Sequence, residues 1–266
     1  MRFESFAASH PVFSVGEFAR HRGKSRNRWT QKAILAYHRK QRHIVLIRRG
    51  LYAAVPFGCT PDTCRPDPYL LASKMADDAV LAYHTALEAH GKAYSVFERF
   101  LFLTRRRTRP AVFRSYHFAG IRPPARLIRK HREWVGVDTI DRSGVPVRVT
   151  CLERTLVDLL DRPGLGGGWE EIWRSLESVE FFDLDKVVEY ALLLGNATTA
   201  AKVGFFLDQH RKPLMVEDRH LEPLKKHRPK RPHYMDRSRR LAGRLIAEWN
   251  LVVPLLVAER SWEEAS

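Results

Sequence analysis

Residues 14–55 read SVGEFARHRGKSRNRWTQKAILAYHRKQRHIVLIRRGLYAAV, and the order of signals in this stretch decides the fold. Ser14-Val15-Gly16-Glu17 is an S-x-x-E capping box, in which the hydroxyl accepts from the backbone three residues on and the carboxylate reaches back. A short helix is therefore predicted from Val15 to between His21 and Gly23, followed by a tight turn. Ser25 then caps a second helix, where Trp29, Ala33 and Tyr37 recur at four-residue spacing and Ile34 and Leu35 fill out an apolar face. His43 to Arg48 and Leu51 to Val55 read as two β-strands around an Arg49-Gly50 turn. Helix, turn, helix and hairpin in that order make a winged helix-turn-helix. Pro56, Gly58 and Pro61 punctuate the chain after it as a linker.

The first turns of the second helix carry Arg26, Asn27, Arg28, Thr30, Gln31 and Lys32 on the polar side, where a recognition helix offers side chains to base edges and phosphates. Lys24 and Ser25 before it, with Arg42, Arg48 and Arg49 around the wing, complete the candidate DNA-binding set. Asn27, Gln31 and Arg28 have the hydrogen-bonding geometry to read bases, whereas Lys24, Arg42, Arg48 and Arg49 suit the backbone or the minor groove. Trp29 and Tyr52 are assigned to the core between helix and wing. A charge run is most often a solvated face. Here the basic helix, the arginine hairpin and the element order agree with one another, which favours DNA.

Charge supports that reading. The 266 residues hold 46 Lys and Arg against 30 Asp and Glu, a net +16, which points to a polyanionic partner. Residues 1–60 hold 12 basic and 2 acidic side chains, net +10, and the remaining residues 34 and 28, net +6. The expected organisation is a DNA-binding domain over 1–58 and an effector domain over 66–266, with a possible sub-boundary at 163–168. A hydrophobic content of 44% is enough to build a core and excludes a disordered or fibrous chain. Apolar runs such as Leu251 to Ala258 are too short to span a membrane, and the N-terminus lacks a signal-peptide pattern, so a cytoplasmic protein is expected. Cys59, Cys64 and Cys151 form no C-x-x-C pair, which leaves neither a disulfide framework nor a zinc ribbon.

In the body, Asp67-Pro68 opens a helix to about Ala76, and Tyr83 to Gly91 forms a second. Phe97 to Thr104 and Ala111 to Phe118 are expected to pair as strands, with Arg105-Arg106-Arg107 in their connection, and Val145 to Val149 is a further strand. Thr150-Cys151-Leu152-Glu153 is a second capping box, opening a helix that Pro163 ends. Gly166-Gly167-Gly168 has no Gly-Lys-Ser/Thr after it and is expected to be a flexible joint. Helices are predicted from Trp169 to about Val179, from Asp183 to Leu194, and from Asn196 to about Gln209. The fold class is therefore α+β: a winged helix followed by a mixed α/β, mainly helical body.

No catalytic, metal or cofactor site is assigned. Glu153 and Asp158 lie about 140° apart on one helix and cannot share a metal there. His84, Glu88 and His90 do not form H-E-x-x-H and are given a structural role. The basic tracts Arg105 to Arg109 and Lys225 to Arg231 are solvated loops or contacts to flanking phosphates.

With Arg48-Arg49-Gly50-Leu51-Tyr52, Tyr83-His84-Thr85-Ala86-Leu87-Glu88-Ala89-His90-Gly91, Val149 to Leu160 and Val203-Gly204-Phe205-Phe206-Leu207 in this order and spacing, the chain resembles the AbiEi family of antitoxins from bacterial type IV toxin-antitoxin systems. Trp249-Asn250-Leu251 extends the match toward the C-terminus. The resemblance implies a winged helix that represses its own operon at operator repeats in double-stranded DNA. It also implies a C-terminal domain that neutralises a nucleotidyltransferase-like toxin. The alternatives are a plain regulator whose body binds a ligand or dimerises, and an enzyme, either a phosphotransferase or a nuclease.

Overall fold

A computed structural model describes residues 3–22, 28–236 and 242–262, and the side chains of all of these except Arg28 and Trp29. The Ser14 box forms: the Ser14 hydroxyl accepts from the Glu17 amide at 3.2 Å, and the Ser14 amide donates to the Glu17 carboxylate at 2.8 Å. It starts helix α2 (Val15–His21), which follows α1 (Phe3–Ser9) and β1 (Val12–Ser14) and precedes α3 (Arg28–Lys40), β2 (Ile44–Arg48) and β3 (Leu51–Ala54). The three strands pair antiparallel in the order β1-β3-β2. Gly50 turns the β2–β3 hairpin at φ +85°, which a glycine adopts without steric cost. Helix α1 and strand β1 are additions to the expected order.

That extra helix sets the rotation of α3. Phe6, Phe13, Phe18, Leu35 and Ile44 form a buried cluster, with Phe3, Ile34 and Tyr52 packed against it. Phe3 stacks on His38 at 3.7 Å between ring centroids. Burial, then the charges of His43 and Arg22, push the His38 imidazole below its ordinary value. The inward stripe of α3 is thus Gln31, Ile34, Leu35 and His38, at i, i+3, i+4 and i+7. The stripe expected through Ala33 and Tyr37 faces out instead, with Tyr37 57% exposed.

Glu17 also pairs with the Lys74 ammonium. Burial opposes its charge, but Lys74 and the Ser14 amide hold the carboxyl below its ordinary 4.5. A carboxyl depressed by folding stabilises above its unfolded value and loses that contribution as pH falls through the folded one. Glu17→Gln keeps the capping box and removes the ion pair, so it should cost up to about 1 kcal/mol at pH 7. The deficit should vanish in acid. Apparent melting temperatures of both proteins at neutral and acid pH check this; a deficit independent of pH contradicts it.

The chain folds into two compact units: residues 1–81, 97–122 and 139–149, and residues 82–96, 123–138 and 150–266. The first holds, besides the elements above, α4 (Pro68–Ser73) and most of a sheet built from β4 (Val80–Leu81), β5 (Arg99–Leu103), β6 (Ala111–Phe113), β7 (Tyr116–Ile121), β8 (Val137–Arg142) and β9 (Val145–Thr150), in the order β6-β7-β5-β4-β9-β8. Residues 1–58 therefore do not stand apart. The segment expected to be a linker is tied down: the Arg114 guanidinium donates to the Pro61 and Cys64 carbonyls, and the Cys64 thiol lies 3.7 Å from the Ala54 carbonyl oxygen.

The strand pair expected over 97–118 is a correction. Arg114, at φ +55°, breaks the second run into a two-residue hairpin, β6 and β7, and β7 pairs in parallel with β5. Strands β5 and β6 are not neighbours.

The second unit contains α5 (His84–Ala89), α6 (Ala125–Arg129), α7 (Leu152–Asp161), α8 (Trp169–Glu177), α9 (Leu184–Leu194), α10 (Ala197–Gln209) and α11 (Asp218–His227). It ends with β10 (His233–Tyr234), β11 (Gly243–Ile246), β12 (Leu251–Pro254) and α12 (Leu255–Ala258), the strands in the order β10-β12-β11. Asp183 and Asn196 cap α9 and α10 as predicted, and Gly195 stops α9 at φ +62°. A Cβ on Gly204 would collide with the Trp249 ring, so α10 needs a glycine where that indole lies.

Two expectations here are corrected. Cys151, not Thr150, precedes α7, with no side-chain cap; the Thr150 hydroxyl bonds Thr155 at 2.7 Å, and Glu153 accepts from the Asp183 amide at 3.1 Å. Residues 163–168 do not separate two units: they lie within one, and a Cβ on Gly166 would strike Leu159 and Ile172. No described helix is long and apolar enough to cross a membrane.

Candidate nucleic-acid interface

The structural division sharpens the charge division. The first unit holds 23 Lys and Arg against 8 Asp and Glu, net +15, and the second 23 against 22, net +1. Almost the whole excess belongs to the unit that contains α3 and the β2–β3 hairpin.

On that unit a groove of about 450 Å³ runs between α3 and the hairpin turn, lined by Val15, Lys32, Leu35, Ala36, Arg39, Arg49, Gly50 and Tyr52. Lys32, Ala36 and Arg39 stand at i, i+4 and i+7 and so share a helix face, and Arg49 meets them from the turn. The Val15 amide donates to the Gly50 carbonyl at 3.0 Å, which ties the turn to the start of α2. Three cations, two on α3 and one on the anchored hairpin turn, thus converge on one groove.

The predicted DNA-binding residues divide as follows. Lys24, Ser25, Arg26 and Asn27 lie outside the described residues, and Arg28 opens α3 with its side chain outside them. Thr30, Lys32 and Arg49 are exposed. Gln31 is 8% exposed on the inward stripe, so it cannot reach a base edge from this position. Arg48 is half-buried, and its guanidinium donates to the Met75 carbonyl, away from the groove lining. Arg42 is exposed and pairs with Asp62 at 3.3 Å. Arg39 is absent from the set expected from the sequence. Its i+7 spacing from Lys32 is the signal for it, but an apolar stripe placed on Ala33 and Tyr37 hides that signal.

In the second unit two clusters of titratable side chains are turned inward. His84 lies 2.9 Å from Glu171 and 3.3 Å from Glu88, all three nearly buried. Burial works against the Glu171 charge, but His84 and the Ser95 amide hold that carboxyl below its ordinary range. Asp158 accepts from Arg154 at 3.1 Å and from the Tyr190 hydroxyl at 2.9 Å, while Arg154 also donates to the Glu133 and Val135 carbonyls. Burial pushes the Asp158 carboxyl up, opposed by the Arg154 guanidinium. Burial likewise pushes the Cys151 thiol up to about 11, so it stays protonated at neutral pH. Among the described residues, no group of three or more His, Cys, Asp or Glu side chains is placed to hold a metal ion.

No protein-family model and no curated protein matches the chain. Among solved structures it is similar to the crystal structure of the RV2827C protein from Mycobacterium tuberculosis, at 19% identity and a TM-score of 0.63, over 98% of this chain and 93% of that one. At that identity the likeness establishes a shared α+β fold over nearly the whole of both chains.

Proposed function

We propose that the chain is a DNA-binding antitoxin of the AbiEi type. Its N-terminal winged helix occupies operator repeats in its own promoter and represses the operon, and its second unit neutralises a nucleotidyltransferase-like toxin in the cytoplasm. The observation that carries the DNA-binding half is the convergence of Lys32, Arg39 and Arg49 on one groove in a unit of net charge +15. Condensed counterions released from the phosphates supply the affinity, and side chains near the start of α3 supply base preference. The inward pairing of Glu171 and Asp158 supports a second unit that works by binding rather than catalysis.

A groove of about 760 Å³ on the first unit, with Phe3, Ala7, Val55 and Phe57 among its lining, favours a second reading: a winged-helix regulator that responds to a small ligand. Coexpression separates the two. The full chain should repress a reporter driven by its own promoter and restore growth to cells making the adjacent toxin. Repression without rescue would leave the plain regulator standing, and the loss of both would remove the proposal.

A further inference from the structure

The first unit's surplus over residues 1–60 is concentrated on residues 104–110, where Arg105, Arg106, Arg107 and Arg109 are exposed. This segment is not the tip of a hairpin, because β7 lies between β5 and β6. It is held at two points. Asp78 accepts from the Thr104 hydroxyl and from the Arg105 amide at 2.8 Å, and Thr108 packs so closely on Gly120 that a Cβ there would overlap its hydroxyl. The arginines therefore project from an anchored backbone.

The same anchor carries the wing. Asp78 belongs to the turn after α4, residues 74–79; in that turn Lys74 pairs with Glu17 of α2, and the Met75 carbonyl accepts from Arg48 at the end of β2. Met75 and Asp78 are three residues apart, so the bond to the wing and the bond to the arginine segment are separated by at most about 11 Å of chain. Arg49, which lines the groove with Lys32 and Arg39, follows Arg48 directly. None of Arg106, Arg107 and Arg109 pairs with a described carboxylate.

We propose that Arg106, Arg107 and Arg109 form a second row of phosphate contacts on the duplex held by α3 and the wing, and that Arg48 is a positioning residue that fixes the two rows through the 74–79 turn. This rests on the DNA-binding reading and extends it: the footprint belongs to a whole unit rather than to one helix and its wing. Guanidinium groups suit this task because each can grip a phosphate through two parallel hydrogen bonds.

The test uses the full chain and a mixed-sequence duplex of roughly three helical turns, titrated at several salt concentrations. Replacing the trio by glutamine (R106Q/R107Q/R109Q) should make the slope of log affinity against log salt shallower by about 2.7, at 0.9 for each phosphate left unneutralised, and shorten the protected stretch in hydroxyl-radical footprinting. The lysine trio (R106K/R107K/R109K) should keep the slope. Asp77→Lys adds a cation to the exposed face of the same turn and should steepen the slope by about 0.9 even if the glutamine trio folds poorly. If the unaltered chain binds and neither the glutamine trio nor Asp77→Lys moves the slope, the second row is overturned while the DNA-binding reading survives. If the unaltered chain does not bind, both fall.

Discussion

Asp158→Ala should destabilise the second unit by about 3–5 kcal/mol, the range for removing one partner of a buried ion pair. The carboxylate is 2% exposed and Arg154 1%, so the substitution leaves a buried guanidinium without its counter-charge and the Tyr190 hydroxyl without its acceptor. Replacing both partners by apolar residues of similar size, Arg154→Met with Asp158→Leu, should cost markedly less than Asp158→Ala alone, because no uncompensated charge remains. Tryptophan fluorescence in urea reads this unit almost selectively, since Trp134, Trp169, Trp173, Trp249 and Trp262 lie in it and only Trp29 lies in the other. A loss below about 1 kcal/mol for Asp158→Ala, the range of an exposed pair, would show that the network is not a structural strut.

Replacing Lys32, Arg39 and Arg49 together by alanine should weaken duplex binding by about 10²–10³-fold at 0.1 M salt, at roughly 0.9 decade for each phosphate that is no longer neutralised. All three are on the outward side of α3 or on the hairpin turn, apart from the aromatic cluster, so the fold should survive. Gln31→Ala acts differently. Its side chain faces the core, and a change there should lower stability without selecting against one base pair. A drop confined to a single operator position after Gln31→Ala would restore it as a base-reading residue.

How much the sequence discloses follows from which signals are local. The capping box at Ser14, the caps at Asp67, Asp183 and Asn196, and the glycine stop at Gly195 are each completed by atoms a few residues apart, and all of them form. The Thr150 box looks the same but fails, because Thr155 and Asp183 compete for its two side chains and neither competitor is visible in a four-residue window. The buried face of α3 differs from its sequence pattern for a related reason. Its burial is set by Phe3 and Phe6 on α1, a seven-residue helix too short for its apolar spacing to stand out. The unit boundary is illegible as well. Pro56, Gly58 and Pro61 have a linker's composition, but long-range bonds tie the N-terminal elements to the turn after α4, through Arg48 and Lys74, and the 61–64 segment to Arg114. Charge is legible in sign and partly in place: the basic head is evident along the chain, whereas the fold alone shows that the arginines after β5 belong to the same unit.

One binding equilibrium decides whether the first unit is a DNA-binding module. The full chain should bind a duplex from its own promoter with a log–log salt slope of about −5 or steeper, as expected for six or more neutralised phosphates, and more tightly than an unrelated duplex of the same length. No binding, or an affinity that does not change between low and physiological salt, would contradict it.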